Sequence, residues 1–306
     1  MTDWSEASHA SFDITEGMLS LSYTLNCGQA FRWRELPDAS WIGVVEEHAV
    51  RLKRNDGLVE GSVYPPVRDA AGFLASYLRL DVDLAALYGG FSSVDPWITE
   101  AVDDFAGLRV LEQEPRETVL SYICSTANSV PRIAKAIDRM SRIYGRHIAT
   151  IDREEFHAFP TAESLADASP AVLRDRCGLG WRGDNLIAVA REVAATPDGW
   201  PAQLRSVPYR EAKADLMKLR GIGAKIADCV CLFALGKDEA VPVDTHIWAV
   251  ARELFGAQVP TRTLTPATYE TISRLFLDRY GIFAGWAQEY LFLQRRASRG
   301  LVRTEQ

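Results

Sequence analysis

The 306-residue chain is poor in cysteine, with five, at positions 27, 124, 177, 229 and 231. None stands in a metal-ligand grouping: Cys229 and Cys231 form C-x-C, which on a helix points the two thiols to different sides. No four-cysteine cluster loop is visible, so neither an iron–sulfur site nor another metal site is expected. The cysteines read instead as buried free thiols in a reducing compartment. Long apolar runs are missing too; no stretch reaches the roughly 18 residues that a membrane helix needs. The N-terminus, Met1-Thr2-Asp3-Trp4-Ser5-Glu6, lacks the basic and apolar regions of a signal peptide. These absences predict an intracellular soluble protein without a membrane partner, in a prokaryotic cytoplasm or a eukaryotic nucleus. Lysine is scarce, six among 34 basic residues, and 41 acidic residues bring the net charge to −7. That balance argues against a nucleic-acid coat protein, but a DNA enzyme needs only one local positive face.

What is present suffices for a globular protein: 47% of the residues are hydrophobic, enough for one large or two medium domains. Residues 10 to about 64 read as β. Leu19 to Leu25 alternates with period two, and Ala30-Phe31-Arg32-Trp33, Trp41-Ile42-Gly43-Val44-Val45 and Ala49-Val50-Arg51-Leu52 follow at short intervals. Asn55-Asp56-Gly57 is a hairpin-type turn before Leu58-Val59. A helix near 69–78 is placed to close one side of this antiparallel sheet. From about residue 97 the pattern is helical. Ile133, Ile137, Met140 and Tyr144 fall at helical spacing, with Arg132, Lys135 and Arg139 on other faces. Ser169-Pro170 starts a further helix that Gly178 ends, and Leu186, Val189 and Val193 mark the next. The last two helices are expected near 264–279 and 283–298. The fold class is therefore α+β: an antiparallel β-rich domain over 1–96 and a larger, mostly α-helical domain over 97–306.

The most informative segment is Leu219-Arg220-Gly221-Ile222-Gly223-Ala224-Lys225, followed by Val241-Pro242-Val243-Asp244. Glu211 to Leu219 and Lys225 to Leu235 both read as helices, too close together for anything but a tight turn. Gly221 and Gly223 permit that turn and leave backbone N–H groups uncovered at the start of the second helix. A helix N-terminus of this kind attracts phosphate without net positive charge. The same glycines would also suit an ordinary αα-hairpin. Lys225 is a useful nucleophile only when neutral, so its reference pKa of about 10.4 must be lowered by burial or a cationic neighbour. Asp244 precedes Thr245-His246-Ile247-Trp248 and reads as a helix N-cap, a role compatible with a catalytic carboxylate.

Gly221-Ile222-Gly223 with Lys225 and Val241-Pro242-Val243-Asp244 resembles the helix-hairpin-helix, Gly/Pro-Asp DNA glycosylases, and more narrowly the 8-oxoguanine DNA glycosylases of the eukaryotic type. Cys27-Gly28-Gln29-Ala30-Phe31-Arg32-Trp33, Leu80-Asp81-Val82-Asp83-Leu84, Tyr122-Ile123-Cys124-Ser125, Gly178-Leu179-Gly180-Trp181-Arg182 and Ala284-Gly285-Trp286-Ala287-Gln288 fall in that family's order, so the resemblance covers roughly residues 10–300. It implies a base-excision enzyme that extrudes the lesion nucleotide from duplex DNA into a pocket. Lys225 would attack the sugar C1′ and form a Schiff base that permits β-elimination, and Asp244 would stabilise the positive charge developing on the sugar. The carbonyl of Gly28 would accept the N7–H that distinguishes 8-oxoguanine from guanine. Cys229 and Phe292 would sandwich the purine, with Gln288 on its Watson–Crick edge. Asn128 would fill the gap in the duplex, Trp181 would wedge beside the opposite strand, and Arg132 and Arg182 would read the partner base. His246 would contact a phosphate, and Gly221 and Gly223 would hold the backbone.

The resemblance also implies a structural monovalent cation at the hairpin when DNA is bound, no cofactor for catalysis, and a monomer whose partner is duplex DNA carrying an oxidised purine. The chain departs from the family at Ala127-Asn128-Ser129, where the family has three asparagines. Ala127 cannot make the amide contact to the opposite cytosine, so relaxed opposite-base selectivity is expected. Two rival readings are a monofunctional alkylated-base glycosylase, which would not need Lys225, and a non-catalytic DNA-binding module, which would have little use for Lys225, Asp244, Gly28 and Gln288 together.

Overall fold

A computed structural model describes residues 3–259 and 263–301 of the chain. Five strands, β1 (Ser8–Asp13), β2 (Arg34–Glu35), β3 (Trp41–Val45), β4 (His48–Asn55) and β5 (Leu58–Tyr64), form an antiparallel sheet in the order β1-β5-β4-β3-β2. The β4–β5 connection has positive φ at both central residues, 44° at Asp56 and 87° at Gly57, the mirror-image turn whose twist matches the strands it joins. Val50, Leu52, Val59 and Val63 cover one sheet face and pack on Leu74 and Tyr77 of the helix Ala70–Tyr77, which Asp69 caps. The other face, through Ile42, Val44 and Ala49, meets Ala149, Ile151 and Phe156 of a two-stranded hairpin, β6 (His147–Ile151) and β7 (Glu154–His157). Every residue of β3 is therefore buried, and its sequence has no polar alternation to betray the second layer.

Two of the expected strands do not form. Residues 19–25 carry the helix Leu21–Asn26, with the Ser20 hydroxyl capping Tyr23 N at 3.1 Å. The segment runs between two cores: Leu21 and Leu25 face the sheet-side core, while Tyr23 and Cys27 face the helical one. Two i, i+4 faces buried on opposite sides reproduce in sequence the alternation of a strand. Residues 30–33 also leave the sheet, and only Arg34–Glu35 pair with β3. Ala30 belongs to the sheet-side core and Phe31 to the helical core, so the segment bridges the two instead of joining a ladder.

The expected helices after residue 97 include Val130–Tyr144, Arg182–Ala194, Tyr209–Leu216, Ala224–Ala234, Thr245–Phe255, Pro266–Tyr280 and Ala284–Ala297, and the helix Pro115–Ile123 joins them without having been expected by name. The Ser169-Pro170 start leads into a five-residue wide turn, Val172–Arg176, before Gly178. Helices Leu84–Ser92 and Pro96–Asp104 bury Leu84, Phe91, Ile98 and Val102 in the same core as these later helices, so the contacts run straight across residue 96. Arg79 adds a two-point clasp to Asp238, at 3.1 and 3.0 Å, between the sheet-side helix and the loop beyond the hairpin.

Candidate active site

Helices Tyr209–Leu216 and Ala224–Ala234 form the hairpin. Ile222 points into the core at 4% exposure, while Gly221 (φ +80°) and Gly223 stay exposed. The second helix starts after Gly223 with no side-chain cap, which leaves its first-turn N–H groups open toward solvent. Lys225 lies in that first turn, half-buried, with its Nζ 5.1 Å from the ring centre of Tyr122 on the helix Pro115–Ile123. Cys229 follows one turn on. Burial pushes its thiol up to about 12, with Lys225 pulling the other way, so it meets neighbours as a neutral sulfur surface and not as a nucleophile.

Asp244 caps the helix Thr245–Phe255 through one carboxylate oxygen, which accepts from His246 N at 2.8 Å and Ile247 N at 2.9 Å. The strand-like lead Val241-Pro242-Val243 is buried and tied back to the hairpin by a polar chain. Val243 N donates to Tyr269 Oη at 3.2 Å, and Tyr269 Oη donates to Asp228 at 2.6 Å. Asp228, fully buried three residues after Lys225, also accepts from Tyr209 Oη at 2.6 Å and from Lys213 Nζ at 3.0 Å. Desolvation pushes its carboxyl up while Lys213 and the two phenols oppose this, so the carboxyl needs all three donors. The network fixes the helix that carries Lys225 relative to the segment that carries Asp244.

The expected base-contacting residues do converge. Gly28 sits at φ +105°, and a Cβ there would come within 2.8 Å of Val130 Cγ2, so neither the conformation nor the space suits a larger residue. Its neighbours are held tightly: the Cys27 carbonyl accepts from Arg296, and the Gln29 amide bridges Thr24 O, Arg109 O and Leu111 N at 2.9, 2.8 and 2.8 Å. Gln288 and Phe292 share one face of the helix Ala284–Ala297, and the Arg296 guanidinium lies 5.4 Å from the Phe292 ring centre. That helix comes close because Gly285 N donates to Asp238 O at 2.8 Å, and a Cβ at 285 would lie only 2.4 Å from Ala240 O. Phe292 meets the His246 ring edge-on at 5.7 Å. Gln288 Oε1 and His246 Nδ1 are both buried with no hydrogen-bond partner among the described residues. Cys229 and Gln288 are each 2% exposed. A cavity of about 240 Å³ lined by Trp33, Val44, Ser141 and His157 lies between the sheet and the helix Val130–Tyr144, away from Lys225.

Of the residues expected on the opposite strand, Trp181 is 54% exposed and Arg132 is exposed. Asn128 is held locally, its amide donating to Cys124 O at 3.1 Å and accepting from Ser129 N at 3.0 Å. Arg182 differs from its expected outward role. Its guanidinium donates to Thr126 O and Ala127 O, both at 2.6 Å, and stacks 4.8 Å from the Trp181 ring centre. Those carbonyls are presented by a loop in which Ala127 adopts φ +48°, so Arg182 here anchors the loop and the wedge together. Tyr122, Tyr269 and Arg296 had no assigned role in the sequence; helical spacing marks them only as core or surface positions, and their contacts join segments far apart in the chain.

An uncapped hairpin helix carrying a lysine, with an aspartate capping the next helix beside it, defines a helix-hairpin-helix base-excision DNA glycosylase. Residues 11–119 match the 8-oxoguanine DNA glycosylase N-terminal domain, and residues 120–274 match the HhH-GPD superfamily base excision DNA repair protein. The chain is 34% identical to N-glycosylase/DNA lyase OGG1 of Arabidopsis thaliana over 289 residues, 92% of this chain and 78% of the plant protein. It is 31% identical to the N-glycosylase/DNA lyase of Saccharomyces cerevisiae, covering 91% of this chain and 84% of the yeast one. The 8-oxoguanine glycosylase/lyase of Clostridium acetobutylicum, solved with double-stranded DNA containing cytosine opposite 8-oxoG, superposes with a TM-score of 0.82 at 27% identity, over 92% of this chain and 93% of that one. The chain belongs to the 8-oxoguanine DNA glycosylase family, whose members are base-excision repair enzymes with glycosylase and lyase activity.

Proposed function

We propose that this enzyme flips 8-oxoguanine out of duplex DNA, excises it through Lys225 and then cleaves the strand. The observation that carries the reading is the joint placement of Lys225, in the first turn of the uncapped hairpin helix, and Asp244, capping the helix that follows, with the two segments tied together through Asp228, Tyr269 and Val243 N. Lys225 Nζ, once it has given up a proton, attacks C1′ as the C1′–N9 bond breaks, and the base leaves with the bonding pair and takes up a proton. Asp244, oriented by two backbone N–H groups, lies beside the sugar as it becomes oxocarbenium-like. Loss of a proton from the nitrogen and opening of the ring give the Schiff base. Removal of a C2′ proton then expels the 3′-phosphate, and water releases Lys225.

Gly28 supplies the carbonyl that accepts N7–H, Cys229 and Phe292 flank the purine, and the unpartnered Gln288 Oε1 meets its Watson–Crick edge. The open N–H groups after Gly223 and the His246 ring take phosphates. Asn128 enters the gap, with Trp181 and Arg132 against the opposite strand. Arg182 already gives two of its five N–H donors to the Thr126 and Ala127 carbonyls, which leaves others for the partner base. Among the described residues no three carboxylate, thiol or imidazole groups gather for a metal, so a monovalent cation at the hairpin would draw on other oxygen donors, backbone carbonyls among them. No helix among the described residues is long and apolar enough to cross a membrane. The buried free cysteines fit a reducing compartment, cytoplasmic or nuclear, and the enzyme acts as a monomer on DNA.

Borohydride trapping on a duplex containing 8-oxoguanine tests this reading, with Lys225→Gln as control. A covalent adduct lost in the variant supports it. Base release without an adduct marks a monofunctional glycosylase, and binding without release a non-catalytic module. Comparing excision opposite C, A, G and T tests the relaxed selectivity expected from Ala127; a strong preference for cytosine refutes it.

A further inference from the structure

The two ends of the Gln288 amide are treated differently. Nε2 donates to Glu289 Oε1 at 3.2 Å, whereas Oε1 is buried with no partner among the described residues. Glu289 is 4% exposed and has no cation within ion-pair distance among the described residues. The charged groups facing it come from three elements: Asp244 at the start of its helix, Lys225 on the hairpin, and Arg296 on Glu289's own helix. Its charge in turn acts on Cys27, Tyr122 and Cys229. Burial pushes the carboxyl up to about 7, against the pull of the Gln288 hydrogen bond, Arg296 and Lys225, so above neutrality it is ionised. An ionised carboxylate only accepts hydrogen bonds. Against it, an amide can present its NH₂ end alone, because the reverse flip would set oxygen against oxygen with no escape to water.

We infer that Glu289 is a specificity-positioning residue: by accepting an N–H of Gln288 it turns the Gln288 oxygen toward the flipped base, as an acceptor for the N1–H and N2–H donors of a guanine-type edge. An adenine-type edge carries a bare N1 in that position and would set lone pair against lone pair. A neutral amide at position 289 both donates and accepts, so it would hold Gln288 in either orientation and relax this choice. The role rests on the glycosylase reading above and names what points that site's glutamine. Glu289 touches neither base nor sugar, and its choice between base edges runs through Gln288.

The test is the ratio of kcat/KM at pH 8 for duplexes carrying 8-oxoguanine and 8-oxoadenine, each opposite cytosine, with a preformed abasic site opposite cytosine as the third substrate. Glu289→Gln is expected to lower the 8-oxoguanine to 8-oxoadenine ratio by roughly tenfold to a hundredfold, the cost of a misdirected buried polar group. Its effect on cleavage of the abasic site, which has no base to read, is expected to be at least about tenfold smaller. In a Gln288→Ala background, Glu289→Gln is expected to leave the ratio where it was. Glu289→Ala is the second variant should the glutamine form not fold, with thermal melts to confirm folding. An unchanged ratio overturns the inference, as does an equal loss on lesion and abasic substrates or an undiminished effect without Gln288. If the unaltered enzyme neither releases 8-oxoguanine from the duplex nor forms a trapped adduct on it, the glycosylase reading itself falls, and this inference with it.

Discussion

Asp244 holds a helix end and stands beside the chemistry, and one pair of substitutions separates the two tasks. Asparagine keeps an oxygen where Asp244 accepts from His246 N and Ile247 N, and it caps helices about as well as aspartate. Asp244→Asn is therefore expected to change stability by no more than about 0.5 kcal/mol, whereas Asp244→Ala, which leaves both N–H groups without their acceptor, costs about 1–2 kcal/mol. Both remove the charge. A carboxylate about 4 Å from a developing cation contributes about 4 kcal/mol at an effective dielectric of about 20. Partial exposure of the side chain trims this to about 2–3 kcal/mol, so both variants should slow excision by roughly a hundredfold. Single-turnover release of 8-oxoguanine beside urea denaturation measures the two quantities on the same preparations. The reasoning fails if Asp244→Asn excises within about threefold of the unaltered enzyme, or if the two variants' rates differ in proportion to their stabilities.

Gly28→Ala forces a side chain onto φ +105° and against Val130 Cγ2 at 2.8 Å, and should cost about 1–3 kcal/mol while displacing the recognition carbonyl. Adding Val130→Ala removes only the contact, so excision stays impaired if backbone conformation dominates, and full recovery in the double variant would show that it does not. Tyr269→Phe removes one donor from buried Asp228 and the acceptor of Val243 N; a loss of about 1–3 kcal/mol on denaturation and a slower Schiff-base step are expected together. Glu117 is pushed from its ordinary 4.5 up to about 7, chiefly by burial and against the pull of Arg32. The folded chain thus keeps a proton that the unfolded chain releases, so this group's contribution is complete below about 4.5 and is lost as pH rises through about 7. Glu117→Gln should therefore gain stability relative to the unaltered protein as pH climbs from 5 to 8, and pH-dependent melts showing a constant difference would refute this. The Lys225→Gln trapping control should abolish the adduct altogether.

The fold class was legible because long segments carry their own period. Ile133, Ile137, Met140 and Tyr144 place the helix Val130–Tyr144, and the turn at Asp56-Gly57 places the β4–β5 hairpin. Legibility failed where one segment serves two cores: residues 19–25 alternate as a strand does, yet fold as a short helix with opposite faces buried. It failed again at β6 and β7, whose apolar residues make sense only against the far face of β3.

The candidate site divides along the same line. Lys225, Asp244 and the two hairpin glycines could be found in sequence because local geometry dictates them: an uncapped helix start, a cap, a tight turn. Gln288 and Phe292 share a helix face by their i, i+4 spacing, but Gly28 was joined to them only by resemblance, since nothing near it in sequence points to that helix. Tertiary structure alone decided what orients them. Asp228 and Tyr269 are 41 residues apart, and Arg296 reaches Cys27 across 269. It also turned Arg182 inward onto the Thr126 and Ala127 carbonyls, and set Glu289 against the Gln288 amide. The physical reason is burial. A polar group taken out of water must find its partner wherever the fold brings one, and sequence spacing carries no record of that choice.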